Sequence, residues 1–127
     1  MSKSAVLTKN APPPLAGILS QAIIANGMVY CSGATGVDPV TRQLVEGDVK
    51  ARTHQCIKNL KAVLEGARSS IDKVVKVNVY LADMGDFAEM NSVYSQYWGD
   101  VKPSRTCVAV KTLPLNTDVE IECIAVL

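Results

Sequence analysis

The chain has 127 residues, 48% of them hydrophobic and 20% charged, with 13 basic residues against 12 acidic ones. That is enough chain for one domain with a proper hydrophobic core, and too apolar for a disordered one. The charges are scattered, so the basic stripe of a nucleic-acid binder and the polybasic run of a membrane-surface protein are both missing, and no run is long and apolar enough to span a bilayer.

Residues 1–127 therefore read as a single domain. The N-terminus has neither the pattern of a secretory signal nor the Arg-rich amphipathic helix of a mitochondrial presequence. The expected compartment is the cytoplasm, with the mitochondrial matrix left open because a processed form would look the same. The four cysteines, Cys31, Cys56, Cys107 and Cys123, show no CxxC pairing and no zinc-like spacing. They are expected to be mostly reduced core residues, and no metal site is expected.

In chain order, Ala5 to Thr8 reads as an edge strand and Asn10 to Pro14 as a proline-rich turn. Gly17 to Ala25 turns into a strand with Ser20, Ala22 and Ile24 on one side. Asn26-Gly27 is a strong hairpin signal, so Met28 to Ser32 is the partner strand, and Gly33 to Asp38 is a loop leaving it. Asp48 caps a helix reaching about Ala67, with Cys56, Ile57, Leu60, Val63 and Leu64 in its apolar stripe. Lys73 to Ala82 alternates as a strand. Asp86 and Glu89 suggest a capping box opening a second helix, whose buried side runs from Phe87 through Tyr94 to Trp98 before Gly99 ends it. Pro103 to Val126 reads as a final hairpin: one strand with Arg105, Cys107 and Ala109 on one side, a Leu113–Thr117 turn, and a second strand carrying Glu120 and Glu122.

Two helices on one face of a sheet of about six strands follow from this order, an α+β arrangement. Several strands are apolar on both faces: Val29 and Cys31 oppose Met28 and Tyr30, and Ile121 and Cys123 oppose Ile124 and Val126. Self-association would bury the face without helices, although this argument gives no subunit number.

Charges on buried strands are usually paired or functional. Arg105 suits a bidentate carboxylate clamp, but from the residues alone an internal salt bridge to Glu120 or Glu122, or a pair across a subunit interface, is favoured. Glu120 suits activation of a water, with an ion pair as the alternative and nothing local to separate it from Glu122. Cys107 shares the face of Arg105 and reads as pocket wall. His54 is a helix-surface or packing residue. Ser32, just before Gly33, reads from the residues as turn chemistry, a small hydroxyl bonding nearby backbone. Asn91, on a helical face with Phe87, Tyr94 and Trp98, either ties down a loop or lines a pocket.

Pro103-Ser-Arg-Thr-Cys-Val, followed by a Leu-Pro turn and Val119-Glu-Ile-Glu-Cys-Ile-Ala-Val, resembles the signature region of the RidA/YjgF family of reactive-intermediate (enamine/imine) deaminases, some of which carry the name L-PSP endoribonuclease or translation inhibitor. The likeness extends to Ser32-Gly33, Val74 to Asp83 and the helix Asp86 to Trp98. It implies a chorismate-mutase-like fold, with a mixed sheet and two helices, assembled as a homotrimer whose sheets face inward and whose sites lie between subunits. It implies Arg105 as the substrate-carboxylate clamp, Glu120 as the water-holding residue, and Ser32, Asn91 and Cys107 as substrate contacts, leaving Glu122 as a structural partner. The implied reaction hydrolyses 2-imino acids of the 2-aminoacrylate or 2-iminobutanoate type to 2-keto acids and ammonia, with no cofactor and no metal. The alternatives are a non-catalytic small-carboxylate-binding or regulatory module and, with less support, an endoribonuclease or translation inhibitor; nucleic acid and membrane are disfavoured as partners. Two departures lie at the pocket rim. Leu19 stands where the family pattern has a tyrosine, and Ser32-Gly33-Ala34-Thr35-Gly36 replaces a Ser-Gly-Gln-Ile-Pro run. They remove a hydroxyl and an amide, which points to a changed substrate range or a lower turnover.

Overall fold

The computed structural model describes residues 2–127. A six-stranded mixed sheet carries two helices on one face, with strand order β1-β2-β3-β6-β4-β5. The strands are β1 (Ser4–Val6), β2 (Ala22–Ala25), β3 (Met28–Cys31), β4 (Val74–Leu81), β5 (Ser104–Ala109) and β6 (Val119–Val126), and the helices are α1 (Val49–Gly66) and α2 (Phe87–Tyr94).

The local signals explain most of these elements. Asn26 and Gly27 both adopt positive φ, 52° and 75°, which is the backbone of a two-residue turn matched to strand twist. Ala25 then opposes Met28, and β2 and β3 pair as a hairpin. Asp48 caps α1, its carboxylate accepting from the backbone N–H of Lys50 at 3.0 Å and Ala51 at 3.2 Å. The apolar stripe of α1 (Cys56, Ile57, Leu60 and Leu64) is almost wholly inaccessible; α1 packs on β6 and β3, and the stripe shares one core with Val29, Val77, Val79, Ile121 and Ala125 of the sheet.

Four expectations are corrected. The C-terminal hairpin does not form: β4 lies between β5 and β6, parallel to β5 and antiparallel to β6. Both C-terminal strands gain a full ladder this way, because β4 is long and apolar enough to serve two neighbours. The second helix is shorter than its stripe. It ends at Tyr94, and Trp98 sits at φ 84° with Gly99 at 77°, so the chain reverses there while the Trp98 ring stays buried. Phe87 is correspondingly more exposed than its place in the stripe suggested. No capping box forms either: Asp86 makes no side-chain cap, and Asp83 instead accepts from the Gly85 N–H. The edge strand begins earlier than expected, at Ser4, and stops at Val6.

Candidate active site

Residues directly opposed on neighbouring strands point to the same face. Val77 opposes Arg105 on one side and Cys123 on the other, and Val79 opposes Cys107 and Ile121. This row faces the helices. Tyr80 opposes Val108 and Glu120, and Asn78 opposes Thr106 and Glu122, so both acidic residues lie on the uncovered face. Arg105 and Glu120 thus stand on opposite sides of one sheet, and a single chain does not bring them together.

Around Arg105 the helix face supplies orientation but no counter-charge. Its Nη1 donates to Asn91 Oδ1 at 2.6 Å. Its guanidinium carbon lies 4.6 Å from the Tyr94 ring centroid and 5.6 Å from that of Phe87, a cation–π arrangement. Among the described residues the one salt bridge joins Arg52 to Asp118, so the expected pairing of Arg105 with Glu120 or Glu122 is absent. Glu122 instead accepts from the Tyr80 hydroxyl. Asn91 is thereby assigned to Arg105 rather than to a loop. Burial pushes the Tyr94 hydroxyl up to about 12, with Arg105 pulling the other way. That hydroxyl is buried with no hydrogen-bond partner among the described residues, which leaves polarity unmatched beside the guanidinium. Burial also raises the Cys107 thiol, against a smaller downward pull from Arg105. A thiol held up in this way is a poor nucleophile.

Glu120 belongs to a second cluster. Its carboxyl is raised by burial and then by the nearby Glu122 charge. The loop after β3 is bridged to β6 beside it: Ala34 N–H donates to Ile121 O at 2.7 Å and Ile121 N–H to Ala34 O at 3.0 Å. Gly33 consequently sits against the Glu120 carboxyl so closely that a Cβ there would lie 2.7 Å from Oε2. Ser32 Oγ donates to Ser20 O at 2.7 Å, so its hydroxyl is engaged in holding the end of β3 to the start of β2. Glu120, Ser32 and Gly33 all line a cavity of about 510 Å³, walled further by the proline-rich loop, Leu19 and the Pro114–Leu115 turn. His54 lies away from both clusters, its Nδ1 2.7 Å from the Tyr97 hydroxyl.

Two features escaped the sequence. The aromatic rings against Arg105 were visible as a helical stripe, yet nothing in the spacing showed that a cation would cover them. The Arg52–Asp118 pair spans residues 66 apart, and neither partner has a local motif.

The profile of the Endoribonuclease L-PSP family matches residues 8–127. The chain belongs to this family, also called RidA/YjgF. Among RidA/YjgF proteins, the Saccharomyces cerevisiae protein MMF1, mitochondrial, is 48% identical over 121 residues, covering 95% of this chain and 82% of its own. Reactive Intermediate Deaminase A, chloroplastic, of Arabidopsis thaliana is 40% identical, covering 100% of this chain and 67% of its own. The crystal structure of yeast Mmf1 superposes with a TM-score of 0.94 at 46% identity, covering 98% of both chains. That of E. coli TdcF with bound serine superposes with a TM-score of 0.91 at 33% identity, again over 98% of both. The RidA/YjgF fold expected from the sequence is therefore the fold of this chain. No helix among the described residues is long and apolar enough to cross a membrane.

Proposed function

We propose that the protein is an enamine/imine deaminase, hydrolysing reactive 2-imino acids or their enamine tautomers, of the 2-aminoacrylate or 2-iminobutanoate type, to 2-keto acids and ammonia. The observation that carries this reading is Arg105: a half-buried guanidinium oriented by Asn91 and two aromatic rings, with no acidic partner among the described residues. Such a group is a receptor for a carboxylate brought by a ligand. The serine bound in the related TdcF is an amino acid with that carboxylate.

In the proposed site Arg105 of one subunit and Glu120 of a neighbour face each other across the substrate, in a homotrimer. Arg105 holds the carboxylate through two N–H donors. Glu120 holds a water against the imine carbon and takes its proton as the C–O bond forms. The imine nitrogen is protonated, the C–N bond breaks, and ammonia leaves a 2-keto acid, so one water is consumed and no redox change occurs. The upward shift of Glu120 suits a group that both accepts and returns a proton. Asn91 keeps the Arg105 fork in place, and Cys107 and Ser32 contribute walls and backbone contacts. The proposed compartment is the cytoplasm, with the matrix as the alternative suggested by the mitochondrial relative.

The test is 2-keto acid formation from an imine generated in situ by an amino-acid-consuming enzyme, for wild type and Arg105→Ala. Acceleration by wild type with a loss of at least ~100-fold in the variant is expected, in line with removal of two charge-assisted hydrogen bonds. An assembled Arg105→Ala protein as fast as wild type would place the site elsewhere. The replacement of a rim hydroxyl by Leu19 favours a second reading, a carboxylate-binding module without turnover. It predicts stabilisation by keto acids but no acceleration. The family's ribonuclease name finds no basic stripe in this chain to support it.

A further inference from the structure

Asn59 is a polar side chain set in the apolar stripe of α1. Cys56 and Val63, about one turn away on either side, are buried, and Asn59 itself is only 3% exposed. A buried amide in mid-helix lowers helix propensity and needs partners, and leucine would fill the same place more cheaply. The partners are present in full. Asn59 Nδ2 donates to Thr35 O at 3.1 Å and to Val37 O at 2.8 Å, and its Oδ1 accepts from Gln55 Nε2 at 2.9 Å. Thr35 and Val37 belong to the irregular loop after β3, and neither carbonyl accepts from another backbone N–H among the described residues. The Asn59 amide supplies the donors that the loop lacks.

The same loop meets Glu120. On its β6 side Ala34 exchanges both backbone hydrogen bonds with Ile121, the residue after Glu120, and Gly33 abuts the Glu120 carboxyl. On its α1 side Gly36 is pressed against the helix, where a Cβ would lie 2.9 Å from Arg52 Cβ. The loop is thus clamped between β6 and α1, and the polar half of the helix clamp is Asn59. Asn59 lines the Glu120 cavity and Gln55 does not, so an effect of Gln55 on rate has to pass through Asn59.

We infer that Asn59 is a positioning residue for Glu120: it fixes the loop of residues 33–37 to α1, the loop fixes the Glu120 carboxyl, and Gln55 orients the Asn59 amide. The inference rests on the deaminase reading and adds to it two residues that act through another.

The experiment measures kcat, KM and the pH profile of imine hydrolysis for wild type, Asn59→Leu and Gln55→Met, each checked for oligomeric state by light scattering. Asn59→Leu removes the donors to both loop carbonyls, and Gln55→Met leaves those donors and removes what orients them. A fall in kcat on the order of 10- to 100-fold in Asn59→Leu, and of several-fold in Gln55→Met, is expected, because misplacing a reacting group by near 1 Å costs about 100-fold. KM should change little, since the Arg105 cluster is untouched. Burial and then Glu122 hold the Glu120 carboxyl up, so a loosened loop that admits water should move the acid limb to lower pH in both variants. The other groups about that carboxyl are Tyr80 on β4, Cys56 on α1 and Arg42 at the same cavity, and neither substitution alters them. A merely structural role would lower the melting temperature and leave the limb in place. Wild-type kcat in an assembled Asn59→Leu protein, a loss confined to KM, or a fall in kcat with the limb unmoved overturns the inference. If Asn59→Leu does not fold, Gln55→Met decides alone, and an unchanged kcat and limb there overturn it. If wild type accelerates no imine, the deaminase reading falls by itself. The positioning is then decided by carbon NMR titration of the Glu120 carboxyl: a lower pKa in Gln55→Met than in wild type upholds it, and an equal or higher one refutes it.

Discussion

Gly33→Ala separates the position of the Glu120 carboxyl from its presence. A Cβ on residue 33 would meet Oε2 at 2.7 Å and Cδ at 2.9 Å, about 0.7 Å inside the 3.4 Å at which ordinary contact begins. The Gly33 backbone lies outside the left-handed region, so alanine fits its dihedrals, and what must yield is the far end of a flexible side chain. Moving that carboxyl off its rotamer costs about 0.5–1.5 kcal/mol. Replacing glycine stiffens the unfolded chain and returns about 0.4–1 kcal/mol. The net change in stability is thus within ~1 kcal/mol, or a melting shift within ~4 °C. Catalysis is far less tolerant, because displacing a reacting group by near 1 Å costs on the order of 100-fold. The assay is kcat/KM for imine hydrolysis beside a thermal melt of the same preparation. A large loss of rate with a small melting shift is expected. A folded, assembled Gly33→Ala protein retaining wild-type kcat/KM would show that the placement of Glu120 does not matter and would remove it from the proposed chemistry.

Two further predictions follow from charge. Asp118→Asn breaks the paired contacts of Asp118 with Arg52, both at 2.8 Å, where the side chains are 18% and 24% exposed. A loss of ~2 kcal/mol in urea unfolding at pH 7 is expected, between the values for exposed and buried pairs. Burial raises the Asp118 carboxyl, but the Arg52 hydrogen bonds and charge outweigh it and hold it below the usual range. The contribution is therefore present above the unfolded-state value of ~3.9 and is lost as pH falls through the lower folded-state value, so the two proteins converge in strong acid. A gap that persists there would show that the loss is not the ion pair. Glu120→Gln tests the opposite sign. Burial and then Glu122 raise this carboxyl, so ionising it costs the folded state, and the stability present below the unfolded-state value is lost as pH rises through the folded one. The variant should melt higher than wild type at neutral pH while losing on the order of 100-fold or more in kcat. Its rate should also lack the acid limb, which in wild type lies above the ordinary glutamate range; a limb that survives in the variant would assign it to another group.

The fold was legible where sequence signals are local. Asn26-Gly27 dictates a turn through two positive-φ positions, and Asp48 before a clean apolar stripe dictates a capped helix. Pairing partners were not legible, because alternation says which residues share a face but not which strand lies alongside. Pro103 to Val126 looked like a hairpin since its strands are consecutive, and only the whole sheet shows that β4 claims the place between them. For the same reason the sequence gathered Arg105 and Glu120 onto one ribbon when they belong to opposite faces. The ion pair expected from charge on buried strands also went to partners that no motif announced, Arg52 and Asp118.

That separation bears on how the proposed site can be assembled. Within 4 Å, and among the described residues, Arg105 has no carboxylate and Glu120 has no cation. Both are partly desolvated, and neither is paired with an opposite charge within the described chain. The sheet lies between them, so no rotamer change or loop closure can join them in one subunit. A second copy can, because β5 is an edge strand of the sheet and presents Arg105 near a rim, while β6 presents Glu120 on the open face. Had the two met directly, each charge would have quenched the other and neither would remain for chemistry. The proposed arrangement needs a gap the width of a small molecule, with a carboxylate for Arg105 at one end and an electrophilic carbon for Glu120's water at the other. A 2-imino acid carries those two groups on adjacent carbons, which is the spacing such a gap can accommodate.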